Sequence, residues 1–138
     1  KTNVTEQDAM YLVKATAPIN TEAHANAQSQ LSSGKVKLLI DERVAKTKLM
    51  GTKVGQNMKP EERAEYLKPF TLTSILKEEM MNLREENEGV NIILKQANKG
   101  IRKDKFSAFE YGLYYIKQVE ENKKRKKKFN AKDWCFMN

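Results

Sequence analysis

Cysteine and histidine occur once each in the 138 residues, and that scarcity removes whole classes of site. Cys135, between Trp134 and Phe136, has no partner for an intrachain disulfide, and no Cys-based metal site can be assembled. A reducing cytoplasm fits this usage. His24 lies in the polar stretch Thr21-Glu-Ala-His-Ala-Asn-Ala-Gln without a second His or Cys at ligand spacing, and is expected on a helix surface. A nucleophile relayed through that lone His is equally unsupported. No apolar run approaches the length of a membrane span or a secretion signal, and no internal repeat is found. A phosphate-cradling loop is missing too, because Gly51-Thr-Lys-Val-Gly55 has neither the spacing nor the Lys-Ser/Thr ending.

What the chain has is lysine, and most of the excess is in one place. Of the formal net charge of +8, six charges belong to the run Lys123, Lys124, Arg125, Lys126, Lys127 and Lys128. Such a block repels itself, so it is either a solvated tail or an arm that touches nucleic-acid phosphates or an acidic partner. Beyond it Trp134-Cys-Phe-Met137 is a short apolar cluster that can dock on the fold or on a partner. The organisation expected is one domain over residues 1–122 and a basic tail with a short apolar end over 123–138. The first residue is Lys1, and we expect a soluble internal fragment of something longer.

Local signals give an α/β order. Met10-Tyr-Leu-Val-Lys-Ala15 reads as a strand running out near Pro18, and Thr21 as the cap of a helix to about Leu31, with Ala23, Ala27 and Leu31 on one stripe and Gly34 as its stop. Val36-Lys-Leu-Leu-Ile40 is a second strand candidate, at the spacing of a right-handed crossover between parallel neighbours. Asp41 is placed to cap a short helix holding Val44, Ala45 and Leu49, and residues 50–58 read as an exposed loop. Pro60 suits a first helical turn, and Pro69 is expected to end or kink that helix near Lys68. A further helix is expected from Thr71 to about Glu86, closed by Gly89, with Leu72, Ile75, Leu76, Met80 and Leu83 inward. Val90-Asn-Ile-Ile-Leu-Lys95 reads as the third strand, so the sheet is expected to be mixed, with helices on both faces.

The last helix holds the best candidate for chemistry. Phe106, Phe109, Leu113 and Ile116 recur at helical spacing, with Ala108, Tyr111, Tyr115 and Val119 widening the apolar face. Asp104 opens this helix among Arg102, Lys103 and Lys105, and Lys99 extends the cationic patch. Asp at that place caps a helix for about 1 kcal/mol, or it holds a divalent metal beside a phosphate that the neighbouring cations attract. Without His or Cys clusters, only an oxygen site for Mg²⁺ or Mn²⁺ remains open to the chain. Asp41 follows a strand candidate and can reach the same sheet edge, although capping explains it more simply; Asp8 and Asp133 lie in the ends.

The run Lys103-Asp-Lys-Phe-Ser-Ala-Phe-Glu-Tyr-Gly112 with the following Leu-Tyr-Tyr-Ile resembles the last motif of the nuclease domain of tailed-phage large terminase subunits. A fainter likeness extends from about Met10 to Asn122, and the specific part is Ile101 to Ile116. The resemblance implies an RNase H-like fold lacking its first strands. It also implies a metal-dependent endonuclease that cuts concatemeric viral DNA during packaging, with Asp104 as catalytic metal ligand in a two-metal Mg²⁺ or Mn²⁺ site. The other two acids of the family pattern have no match here, so the chain alone is expected to be inactive. The partners implied are double-stranded DNA, the ATPase motor of the large subunit, the portal and the small subunit, in the bacterial host cytoplasm. A rival expectation is a non-catalytic nucleic-acid-binding or assembly module that uses the basic tail.

Overall fold

Pro18, expected as the end of a strand, instead opens the first helix. The computed structural model describes residues 13–133, with side chains described over 13–125. Its elements are α1 (Ala17–Ser32), α2 (Glu42–Met50), α3 (Lys53–Asn57), α4 (Pro60–Met81), β1 (Leu83–Glu88), β2 (Asn91–Gln96) and α5 (Asp104–Asp133). Pro18 falls in the first turn of α1, where a missing N–H costs nothing because that N–H has no intrahelical acceptor. Residues 13–16 lead into α1 without regular structure. The rest of the strand expected at Met10–Ala15 lies outside the described residues, as do Asp8 and the cluster from Trp134.

Helix α1 buries the small stripe anticipated for it, Ala23 and Ala27, together with Asn26. Methyl groups keep the separation short, and α1 lies against both β2 and α5. Gly34 takes φ +69 just past the helix end, a left-handed stop that favours glycine. Residues 37–41 then run without regular structure and pair with no strand among the described residues. The parallel crossover expected between residues 10–15 and 36–40 is therefore not among the described elements, and the sheet there is a single antiparallel hairpin.

The middle of the chain is a helical layer with its own apolar core. Asp41 Oδ1 accepts the Arg43 N–H at 2.9 Å and starts α2 as anticipated. Ala45 and Leu49 of α2 pack on Leu67 of α4, flanked by Met58 and Phe70. Residues 50–58, expected as an open loop, contain α3. Thr52 Oγ1 accepts the Gly55 N–H at 3.0 Å and donates to Leu49 O at 2.7 Å, and Gly55 is buried against Leu49. Pro69 neither ends nor divides α4, which is continuous from Pro60 to Met81. Leu67 and Phe70 on either side of it are seated on the α2 core, and that packing holds the helix through the proline.

The helix expected to reach Glu86 stops at Met81, and Leu83–Glu88 is a strand instead. Asn82 explains the change. Its Oδ1 accepts the Asn98 N–H at 2.8 Å, its Nδ2 donates to Asn98 O at 2.9 Å, and its own carbonyl accepts the Ala97 N–H at 2.8 Å. This bracket closes the base of a hairpin whose register runs from Leu83 opposite Gln96 to Glu88 opposite Asn91. The two-residue turn Gly89-Val90 has φ +62 at Gly89 and no other positive φ, which is the II′ pattern suited to strand twist. Gly89 thus turns a hairpin and does not close a helix. The described residues form a mixed α/β arrangement, and none of their helices is long and apolar enough to cross a membrane.

Candidate functional site

The loop from β2 into α5 is pinned from both sides. Asn98 Oδ1 accepts the Gly100 N–H at 2.9 Å, and Ile101 O accepts from Gln96 Nε2 at 2.6 Å. With the Asn82 bracket at its base, this short turn fixes where Arg102 and Lys103 leave the hairpin and where α5 begins.

Every helix start leaves unpaired N–H groups, and at α5 the partner comes from another helix. Glu79 of α4, with 2% exposure, accepts the Phe106 N–H through Oε2 at 2.8 Å. Its other oxygen lies 3.8 Å from Lys105 Nζ. A charge-assisted bond of this kind contributes about 1.5–3 kcal/mol, and it gives a buried carboxylate a defined partner. Glu79 had been expected on no functional surface; a buried Glu at the end of an amphipathic helix has no local signature.

Asp104, expected to cap α5 or to hold a metal, does not cap. Its side chain is 75% exposed and its one close partner is Arg102 Nη1 at 3.9 Å, itself 86% exposed. It is the first residue of α5, where the positive end of the helix dipole favours an anion. Lys103 reaches back to Leu94 O at 3.4 Å, Lys105 is half-engaged by Glu79, and Lys99 is exposed in the preceding turn. The structure therefore gathers Arg102, Lys103, Asp104 and Lys105 at one helix mouth, with the carboxylate in water and cations beside it.

A two-ion centre uses several converging carboxylates. Among the described residues no three His, Cys, Asp or Glu side chains are grouped to hold a metal ion, so the residues present do not by themselves fit the Mg²⁺ or Mn²⁺ site. Asp41 is committed elsewhere, one oxygen to Arg43 N–H and the other 3.4 Å from Ser74 Oγ. Asp104, with only its long contact to Arg102, can offer one oxygen ligand.

The backbone of the basic run is helical. Helix α5 passes through position 123 without a break and continues to Asp133. Lys123, Lys124 and Arg125 are exposed on it. The side chains of Lys126, Lys127 and Lys128 lie outside those described.

A second polar assembly was not anticipated from the sequence. His24, expected on a helix surface, is 12% exposed in its side chain and sits between two carboxylates, Glu85 Oε1 at 2.7 Å from Nε2 and Glu110 Oε1 at 3.3 Å from Nδ1. The second contact is not a hydrogen bond, so His24 Nδ1 and Glu110 Oε1 are buried side by side without a hydrogen-bond partner. Phe106 meets the imidazole edge-on with centroids 6.4 Å apart. Burial pushes the Glu110 carboxyl above its usual range, opposed by His24 and Lys103, and burial with Glu110 nearby raises the Tyr111 phenol. Tyr111 donates to Asn20 Oδ1 at 2.6 Å. A cavity of about 270 Å³ opens beside these groups, lined by Asn20, His24, Lys103, Ser107, Glu110 and Tyr111 among others. The arrangement ties α1, β1 and α5 together. Its sequence signal was the position of Glu110 midway between Phe106 and Tyr114, four residues from each and therefore on one helix face.

Comparison of the chain with models of known families, with curated proteins and with solved structures finds no match.

Proposed function

We propose that this chain is the C-terminal part of a metal-dependent DNA endonuclease of the tailed-phage large terminase kind, whose RNase H-like frame and remaining acids are completed by residues outside those described. The single observation that supports this reading most is the idleness of Asp104 in the fold. Glu79 holds the α5 start, so the exposed carboxylate beside Arg102, Lys103 and Lys105 is left with only the helix dipole and a long contact to Arg102. Asp104 then serves as one metal ligand, and the cations draw the DNA backbone toward it without reading bases, which makes binding weakly sequence-dependent and strongly salt-dependent. In the parent protein Asp104 would hold a divalent ion together with acids from outside the described residues, and such an ion would supply the hydrolytic chemistry. The partners of this reading are double-stranded DNA, the ATPase motor, the portal and the small terminase subunit, within the bacterial host cytoplasm.

One observation favours a second reading, a non-catalytic nucleic-acid-binding or assembly module: no metal-competent trio stands among the described residues. Asp104→Asn in the full parent protein separates the two. Under the first reading Mn²⁺-dependent cutting falls by at least a hundredfold while DNA affinity stays within twofold. Cutting at the wild-type rate would remove the metal role. The 138-residue chain by itself is expected not to cleave DNA.

A further inference from the structure

Helix α5 has two groups of cations along it. Arg102 and Lys103 stand exposed just before its first turn with the half-buried Lys105 beside Glu79, and Lys123, Lys124 and Arg125 stand exposed far along it. The one cation between the two groups, Lys117, is held by Glu22 at 2.8 Å, and Glu120 and Glu121 make the stretch before the second group acidic. The charge on α5 is therefore divided into two grips with a neutral-to-acidic spacer.

The spacing of the grips is set by a rigid rod. From the middle of the first group to the middle of the second is about 20 residues, or about 30 Å at 1.5 Å per residue. Lys105 and Lys123 are separated by about five full turns, so they issue from the same side of the helix. One turn of B-DNA spans about 34–36 Å along its axis, and flexible lysine and arginine stems reach the few Å of difference. A flexible acidic peptide has no reason to demand two cationic groups at a fixed distance. A stiff, periodic polyanion does.

We propose that α5 lies along a DNA duplex and that its two cationic ends grip the phosphate backbone about one helical turn apart on the same face. The proposal rests on the DNA-cutting reading for the identity of the polyanion. It makes the α5 mouth the proximal contact, next to Asp104, and the basic run a distal clamp that fixes how the duplex is aligned with the carboxylate.

Ethylation interference with the 138-residue chain on a 30-base-pair duplex tests it. Two patches of essential phosphates about ten base pairs apart are expected on one face. Replacing Lys123, Lys124 and Arg125 by Gln erases the distal patch, leaves the proximal one, and lowers the slope of log affinity against log salt by about 2.7. Inserting seven helix-forming residues after Glu121 lengthens α5 by about 10 Å and nearly restores the face, so the distal patch moves outward by about three base pairs. The Gln variant changes only exposed side chains, and unchanged circular dichroism and unfolding midpoint verify the folding of both variants. A single patch, a distal patch that stays in place after the insertion, or equal affinity for an unstructured polyanion such as polyglutamate overturns the proposal. Loss of the DNA-cutting reading shows separately, as wild-type cleavage by the Asp104→Asn parent, whatever the interference pattern.

Discussion

The two halves of this molecule both bury apolar side chains, and they differ in how much polar bonding is added to that contact. Helices α2, α3 and α4 close on an apolar cluster, Ala45, Leu49 and Leu67 with Met58 and Phe70 against it. Helix α1, the hairpin and α5 bury Ala23, Ala27, Phe106 and Tyr114, and polar groups tie them as well: His24 between Glu85 and Glu110, Glu79 of α4 on the Phe106 N–H, the Asn82 bracket, and Thr21, whose hydroxyl accepts the Ile92 N–H at 3.0 Å. Apolar contact is tolerant of small shifts, whereas a hydrogen bond is lost over a fraction of an ångström. The half with the polar ties fixes geometry, and it is the half that presents Asp104 and its cations.

The sharpest way to break this comparison is inside the apolar half. A Cβ at Gly55 would lie 2.1 Å from Leu49 O and 2.8 Å from Leu49 Cγ, with backbone as the first obstacle. Gly55→Ala should therefore destabilise by about 3 kcal/mol, at the high end for overpacking, because α3 must separate from α2. Urea unfolding measures this. A loss under about 1 kcal/mol would mean that α3 is not docked as described.

Second in size is Glu79→Ala, which leaves the Phe106 N–H without its acceptor in a buried place and releases Lys105. The expected cost is about 2 kcal/mol, with hydrogen exchange speeding up first in the opening turn of α5. Glu79→Gln, which keeps an acceptor oxygen, should recover about half of that. Equal losses for the two variants would show that charge and not the hydrogen bond holds the helix start.

These partners explain which parts were legible in the sequence. Gly34, Asp41 and Pro60 were read correctly because stops, caps and first turns are decided within a few residues. The Ala23 and Ala27 stripe was legible for the same reason, one helix face being enough to see it. Pro69 and Leu83–Glu88 were misread because distant groups decide them. Leu67 and Phe70 seat α4 on α2 across the proline, and Asn82 with the facing Ile92 and Ile93 converts a helix-favouring Leu-Arg-Glu-Glu-Asn-Glu into a strand. His24 and Glu110 were missed together, since each is acceptable inside only because the other is there. On α5 the apolar stripe was seen but its centre was misplaced. Phe106, Glu110 and Tyr114 are the buried line, while Ile116 is 52% exposed. Of the candidate site, the grouping of Arg102, Lys103, Asp104 and Lys105 was legible, and the identity of the true cap was not.

The polar half also predicts a dependence on pH that the apolar half lacks. Glu110 holds its proton more tightly when folded, burial being the main cause. In the unfolded chain a Glu releases its proton near about 4.3. As pH rises through that value the unfolded state ionises first, so the Glu110 contribution to stability is full below it and is lost by the time the folded carboxyl has ionised too. His24 on α1 and Lys103, just before α5, favour the ionised carboxyl and moderate the loss, while Glu85 on β1 engages the far side of the His24 ring. Glu110→Gln has no proton to release. Its unfolding midpoint relative to wild type should therefore climb as pH rises above about 4.3 and level off once the folded carboxyl has ionised. A flat or falling difference as pH rises there would show that the contacts with His24 and Lys103 outweigh burial.

The smallest effect should come from the residue that matters most to the proposed chemistry. Asp104→Asn removes a charge from the α5 mouth and a long contact with Arg102, both in water, so the change in stability should be about 0.5 kcal/mol or less. That number is informative only beside the larger cost expected for Glu79→Ala. If the two carboxylates were interchangeable caps, their replacements would cost the same, and the exposed position of Asp104 would need no explanation beyond folding. With Glu79 holding the helix, a carboxylate left in a ring of cations adds almost nothing to stability, so a loss of more than about 1 kcal/mol in Asp104→Asn would return it to the fold and leave the site without its ligand.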